Sequence, residues 1–166
     1  MIKKIISLLI AALFIMTLFC SCNSKPTNQN DTNDPTEMTG LNINLKSLYE
    51  NCTSKMPEMI SLDADMVLDY CGINAEDCAE FYVSICADSL KTDEIWLIKA
   101  TNDEAINRIS DLAEARLQAK ADESITYSPE QYAVVQKAKI ITVGEYFALI
   151  VSPDVSEIEK IVSEAF

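Results

Sequence analysis

Two cysteines stand one residue apart where an apolar segment of the chain gives way to a polar one. The stretch reads "IMTLFCSCNSKPTNQND" and contains Cys20 and Cys22. A cysteine at such a boundary is a candidate for covalent lipid attachment. The residues that precede each cysteine decide which of the two is suited to it.

The segment before the cysteines has the layout of a secretory signal peptide. Lys3 and Lys4 are followed by the apolar run "IISLLIAALFIMTLF". A short basic segment followed by an apolar segment of this length is typical of such a leader. The run is shorter than the roughly 20 residues that a transmembrane helix needs, although a plain N-terminal transmembrane anchor is the alternative.

The end of this leader resembles the bacterial lipobox, in which an apolar residue and two mostly small residues precede an obligatory cysteine. Phe19, Cys20, Ser21 and Cys22 follow that order, with Phe19 where leucine is usual. Ser21 before the cut suits Cys22, whereas bulky Phe19 would stand before Cys20. The resemblance implies cleavage between Ser21 and Cys22 and lipidation of Cys22, which would tether the mature chain to a membrane.

The sequence divides into three parts. Residues 1–21 form the predicted lipoprotein signal peptide. Residues 22–40, rich in Asn, Thr, Asp and Pro, predict a lipid-anchored flexible linker. Residues 41–166 have a length that suits one domain with a hydrophobic core.

Composition excludes several classes of function. The chain has 13 basic and 26 acidic residues, and this charge disfavours nucleic acid as a partner. It has no histidine, which removes Ser-His-Asp triads and most zinc sites. Asp63, Asp65 and Asp69 lack the glycine and glutamate of a calcium loop. We therefore predict no catalytic residue, no metal site and no cofactor.

Four further cysteines lie in the predicted domain: Cys52, Cys71, Cys78 and Cys86. An even number outside the cytoplasm is compatible with disulfides. Free cysteine also behaves as a small buried hydrophobe, and Cys52 and Cys86 fall on patterned faces where core residues belong. Both states are open, and we favour unpaired thiols in the core.

Hydrophobic periodicity predicts an α+β domain with an antiparallel sheet of about four strands, in two hairpins, packed with helices. The order is helices, hairpin, helices, hairpin, helix, and we expect the helices on one face of the sheet. The predicted segments are helices near 41–56, 64–71, 102–121, 129–137 and 153–166, with hairpins over 80–100 and 139–151. The other sheet face would then be the place for a partner.

Local signals mark where several of these elements begin and end. Asp63 is a predicted N-cap, and Thr101 and Ser128 open predicted capping boxes, the second closed by Gln131. Ser152 is the predicted cap of the last helix. The pair Gly144-Glu145 between two β-prone runs suits a type II′ turn.

The motifs "MVLDYCGIN", "DEIWLIKATND", "YSPEQ" and "VGEYFALIVSPD" resemble, in this order, a bacterial family with lipoprotein-type leaders, domain-of-unknown-function (DUF) family 4358. The resemblance covers about residues 45–166. The family usually has Asn after the hairpin glycine, where this chain has Glu145. Because the family has no assigned activity, it implies no catalytic residue here.

Two functions remain open. The first is a membrane-anchored, extracytoplasmic binding or interaction module whose partner is an envelope protein or a small ligand. Its contact surface could include aromatic residues, namely Tyr82, Trp96, Tyr127, Tyr132 and Tyr146, although we expect Trp96 in the core. The alternative is a carboxylate-based hydrolase acting on cell-envelope glycans, which needs two acids held roughly 5 to 9.5 Å apart.

Overall fold

Two strands that are apolar at nearly every position form the centre of the domain. The computed structural model describes residues 42–166. The strands are β1 (Met59–Ser61), β2 (Cys78–Cys86), β3 (Glu94–Ala100), β4 (Lys139–Val143) and β5 (Tyr146–Val151). The helices are α1 (Leu45–Thr53), α2 (Ala64–Cys71), α3 (Asp103–Tyr127), α4 (Pro129–Val135) and α5 (Val155–Ala165), with a 3-10 turn at Ala75–Asp77.

All strand pairs of this sheet are antiparallel, in the order β1-β2-β3-β5-β4. The predicted α+β class and both predicted hairpins, β2–β3 and β4–β5, are confirmed. The fifth strand, β1, pairs with β2 from Met59↔Cys86 to Ser61↔Ser84 at one edge. Three residues are too few to show a strand alternation, which is why the sequence predicted four strands.

Helices cover both faces of the sheet, so the prediction of helices on one face was wrong. Side chains alternate along a strand, and all of β5 and nearly all of β3 are buried. Trp96, Ile98, Phe147 and Leu149 pack with α2, α3 and α4, whereas Ile95, Leu97, Ala148 and Ile150 pack with α1 and α5. Continuous apolar strands are buried on both faces, so the sheet face expected to receive a partner is already occupied.

The capping signals of α2 were predicted correctly. The side chain of Asp63 accepts a hydrogen bond from the Met66 amide at 2.9 Å. Gly72 follows the helix with φ +73°, a left-handed conformation that glycine adopts without steric cost. A Cβ at this position would also lie 3.2 Å from Cδ2 of Leu112.

The long helix α3 differs from its prediction at both ends. Asn102, rather than Thr101, is its N-cap and accepts a hydrogen bond from the Ala105 amide at 2.9 Å. The helix continues to Tyr127, six residues beyond the predicted end near Ala121. The added turns bring polar residues into contacts that a hydrophobic pattern does not reveal.

The β4–β5 hairpin has a two-residue turn, since Val143 pairs with Tyr146. Gly144 has φ +56°, and no described residue other than glycine has a positive φ. A type I′ turn requires positive φ at both central residues, so type I′ is excluded and the positive φ at Gly144 alone agrees with the predicted type II′ turn. The prediction that Ser152 caps α5 was wrong, because Asp154 is the N-cap residue. The Ser152 hydroxyl instead accepts a hydrogen bond from the Asp154 amide.

Candidate functional site

The residues predicted to be cleaved and lipidated, Ser21 and Cys22, lie outside the described residues. Their roles therefore stay predictions. Within residues 42–166, no helix has the length and apolar character needed to cross a bilayer.

The five aromatic residues considered for a contact surface differ widely in exposure. Trp96 is fully buried, as predicted, and Tyr146 is buried as well. Tyr82 and Tyr132 are partly buried. Tyr127 is 84% exposed, so it is the member of this set that is available for contact.

Two of the acidic residues near α2 interact with the start of that helix. Asp63 is its N-cap, and Asp65 lies in its first turn, where a negative charge compensates the helix dipole. Among residues 42–166, no three cysteine or acidic side chains lie together in a way that could hold a metal ion.

All four cysteines of the described region are unpaired thiols. Cys52 and Cys86 are buried, as predicted, and so is Cys71. Burial raises the pKa of Cys52 to about 11, of Cys71 to about 12 and of Cys78 to about 11. Because the thiolate is the nucleophile, these three thiols are poor nucleophiles at neutral pH.

A carboxylate with no exposed surface, Glu94, lies at the start of β3. The Trp96 indole Nε1 donates to its Oε1 at 2.7 Å. Arg116 donates from Nε to Oε1 and from Nη2 to Oε2, both at 3.1 Å. The Nζ of Lys120 lies 2.8 Å from Oε2. Both oxygens of Glu94 are therefore occupied by donors, which offsets the cost of burying the charge.

The two cations come from consecutive turns of α3. Arg116 and Lys120 are four residues apart, so they lie on the same side of the helix. Arg116 also donates from Nη1 to the carbonyl of Tyr70 at 3.1 Å, which connects α3 to the end of α2. Burial opposes the charged form of Arg116, but the charge and hydrogen bonds of Glu94 outweigh it and raise its pKa.

The neighbouring acid, Asp93, is also buried but less well satisfied. Its exposed fraction is 3%, and its Oδ1 atom has no hydrogen-bond partner among residues 42–166. Burial raises the pKa of Asp93, while the charges of Lys91 and Lys120 partly oppose that rise. Two acids in succession thus lie in different electrostatic surroundings.

A cavity of about 450 Å³ lies beside this cluster, and we call it the corner cleft. It lies between the β2–β3 loop and the corner where α3 meets α4. The loop contributes Ser89, Leu90, Lys91 and Thr92. The helices contribute Lys120, Glu123, Ser124, Tyr127, Ser128 and Gln131.

Hydrogen bonds to Thr92 hold this loop against the helices. The Gln131 Oε1 atom accepts from the Thr92 amide at 2.9 Å and from its hydroxyl at 3.0 Å. Lys120 donates to the Thr92 carbonyl at 3.1 Å. The prediction that the Gln131 side chain closes a capping box was wrong, because that side chain satisfies Thr92 instead. Ser128 is still the cap of α4, with its hydroxyl 3.4 Å from the Gln131 amide nitrogen.

Two large apolar side chains line the corner cleft from opposite elements. Leu90 is 81% exposed and Tyr127 is 84% exposed, the highest values among the large hydrophobic residues of the described region. Ser124 lies near Tyr127 on α3, and its hydroxyl donates to the Lys120 carbonyl. The cleft therefore combines hydrogen-bonded polar side chains with two largely exposed apolar side chains.

A second cavity, of about 670 Å³, is a groove between α1 and α5. Its lining includes one acid, Glu164, and the corner cleft also includes one, Glu123. Glycoside hydrolysis by carboxylates needs two acids on either side of the substrate. Neither of these two cavities offers such a pair.

Comparison with known proteins identifies the family. The model of DUF4358, described as a domain of unknown function, matches residues 51–152. The chain belongs to the DUF4358 family. The matched range includes Glu94, Arg116 and the whole corner cleft, whereas the predicted leader lies outside it. No curated protein matches the chain, and no solved structure matches it either.

Sequence reasoning missed most of this site, although one signal was present. Within the DUF4358 match, Arg116 and Lys120 follow the spacing of the buried residues Ile109 and Ala113 on α3. Two cations that continue an apolar stripe are compatible with a buried acid facing them. The contact of Gln131 with Thr92 joins residues 39 positions apart and had no comparable signal.

Proposed function

We propose that this DUF4358 protein is a lipid-anchored, extracytoplasmic binding module without catalytic activity. The binding role is supported by the corner cleft, in which the exposed side chains of Leu90 and Tyr127 lie beside hydrogen-bonded polar side chains. Exposed apolar groups beside convergent polar groups are typical of ligand sites. The ligand is a small molecule or a segment of an envelope protein, and nucleic acid is disfavoured by the formal net charge of −13.

The anchor is supported by the leader sequence. The order Phe19, Cys20, Ser21, Cys22 after a basic and apolar segment favours Cys22 as the lipidated residue. Two acyl chains suffice for stable membrane attachment. The protein would then sit on the outer side of the cell membrane.

The non-catalytic role is supported by the state of the buried acid. Glu94 would have to lose its contacts with Arg116 and Lys120 before it could accept a proton or attack a substrate. The alternative of a glycan hydrolase gains no specific support from either cavity, since each includes a single acid.

Detergent phase partitioning tests the anchor. The wild-type protein should enter the detergent phase, and Cys22→Ala should abolish acyl labelling of the chain. Cys20→Ala is the matched control, because it changes the neighbouring thiol and should leave labelling and partitioning unchanged. Equal acyl labelling of wild type and Cys22→Ala would refute the anchor.

Native mass spectrometry of the protein purified from membranes tests the binding role. We expect a stoichiometric adduct after incubation with an envelope extract, and Tyr127→Ala should reduce it. Tyr70→Ala is the control, since Tyr70 is 52% exposed but lies outside the corner cleft. An adduct that is absent, or that survives Tyr127→Ala undiminished, would contradict a binding role for this cleft.

A further inference from the structure

The corner cleft has the size of a small-molecule site. Its volume of about 450 Å³ falls within the range of roughly 300–1,000 Å³ typical of ligand pockets. Leu90 and Tyr127 belong to different elements, yet both line this one cavity. A pair of large, exposed apolar side chains on one cavity indicates a contact surface for an apolar face of a ligand.

The charged side chains of the lining balance one another in formal charge. Lys120 pairs with Glu94 at 2.8 Å. Lys91 and Glu123, the other charged residues of the lining, carry opposite charges. The cleft therefore has no excess of one charge that would select an anion or a cation.

The remaining polar groups of the lining are hydroxyls and an amide. The Gln131 carbonyl oxygen is occupied by Thr92, and within residues 42–166 its NH₂ group has no hydrogen-bond partner. The Ser89 hydroxyl likewise makes no hydrogen bond to the described part of the chain. Hydroxyls both donate and accept, so this lining suits a ligand that carries several hydroxyls.

Tyr127 supplies the complementary surface. The face of an aromatic ring is electrostatically negative, and the C–H bonds on one face of a pyranose ring are weakly positive. A sugar ring therefore combines a face that stacks on tyrosine with an edge of hydroxyls. A flat apolar ring without hydroxyls would form no hydrogen bonds with Ser89 and Gln131.

We propose that the corner cleft binds a neutral sugar, with a pyranose ring stacked on Tyr127 and its hydroxyls bonded to Ser89 and Gln131. This assignment rests on the proposed binding function and names its ligand class. Saturation-transfer NMR on the full-length protein in a polyoxyethylene detergent tests it, because that detergent contains no sugar headgroup. The probes are cellobiose, maltose and N,N′-diacetylchitobiose, with glucuronate and adenosine as the charged and aromatic comparators.

We expect at least one neutral disaccharide to bind, with saturation strongest at the ring protons of one face. Tyr127→Ala should weaken its affinity by roughly fivefold or more, since stacking on an aromatic ring contributes on that order. Tyr70→Ala should leave the affinity within about twofold of wild type. Tyr127 is largely exposed, so its replacement does not threaten folding.

Three results would overturn the sugar assignment. They are the absence of binding by all three disaccharides, binding that Tyr127→Ala leaves unchanged, and a preference for glucuronate or adenosine over every neutral sugar. In each case a Tyr127-dependent adduct in the mass spectra would still support the proposed function. Absence of acyl labelling of the wild-type chain would instead contradict the proposed anchor. Absence of any adduct would contradict the proposed binding role.

Discussion

The indole nitrogen of Trp96 lies 2.7 Å from a carboxylate oxygen of Glu94, two residues earlier on the same strand. Both side chains are fully buried on the face of the sheet covered by α3. The largest side chain of the core therefore orients the acid that receives two cations from α3. Because Lys120 pairs with Glu94 and also lines the corner cleft, this contact joins the hydrophobic core to the cleft.

Replacing Glu94 should be strongly destabilising. Glu94→Gln keeps the shape of the side chain but leaves the partly buried charges of Arg116 and Lys120 without their acidic partner. We expect a loss of about 3–5 kcal/mol in the free energy of unfolding, measured by urea denaturation. Glu157→Gln is the control, because its partner Lys55 is 45% exposed and the loss should stay below about 1 kcal/mol. A loss below about 1 kcal/mol for Glu94→Gln as well would show that the buried cluster contributes little to stability.

Removing the Gln131 side chain should loosen the β2–β3 loop. Gln131→Ala leaves the Thr92 amide without its acceptor, which we expect to cost about 1–2 kcal/mol. Hydrogen exchange at Thr92 should become faster, as measured by NMR. Gln136→Ala removes a neighbouring exposed glutamine and should leave exchange at Thr92 unchanged. Unaltered exchange in Gln131→Ala would contradict the proposed role of this contact.

The buried thiols should make the domain less stable in alkali. The pKa of Cys71 is about 12 in the folded protein and ordinarily 9.0. The unfolded chain therefore releases this proton first, and stability falls as the pH rises above about 9. Denaturation between about pH 8 and about pH 10 should show a steeper decline for wild type than for Cys71→Ala. Parallel declines would mean that this thiol keeps its ordinary pKa when folded.

Local chemistry in the sequence predicted the elements better than it predicted their arrangement. Asp63, Gly72 and Gly144 act through their own backbone surroundings, so their roles as cap, helix end and turn could be predicted. The covering of both sheet faces was signalled by the continuous apolar runs of β3 and β5, but the alternation in β2 suggested one open face.

The candidate site could be predicted only in part, because its contacts join distant segments. Trp96 was expected in the core from its size and strand position. Glu94 lies 22 residues from Arg116, and nothing local shows that the two meet. Tyr127 lies beyond the predicted end of α3, so its place at the cleft depends on turns that tertiary contacts stabilise.

The position of β3 and β5 at the centre of the sheet has a consequence for the order of folding. Each hairpin joins neighbours in sequence and can form within about 1–10 μs. Pairing β3 with β5 must first close a loop that contains α3, α4 and β4. We expect pulsed hydrogen exchange to show protection between β4 and β5 before protection between β3 and β5. Until that late step, each hairpin presents an uncovered edge of consecutive apolar residues, which is the interval in which the nascent chain is most prone to aggregate.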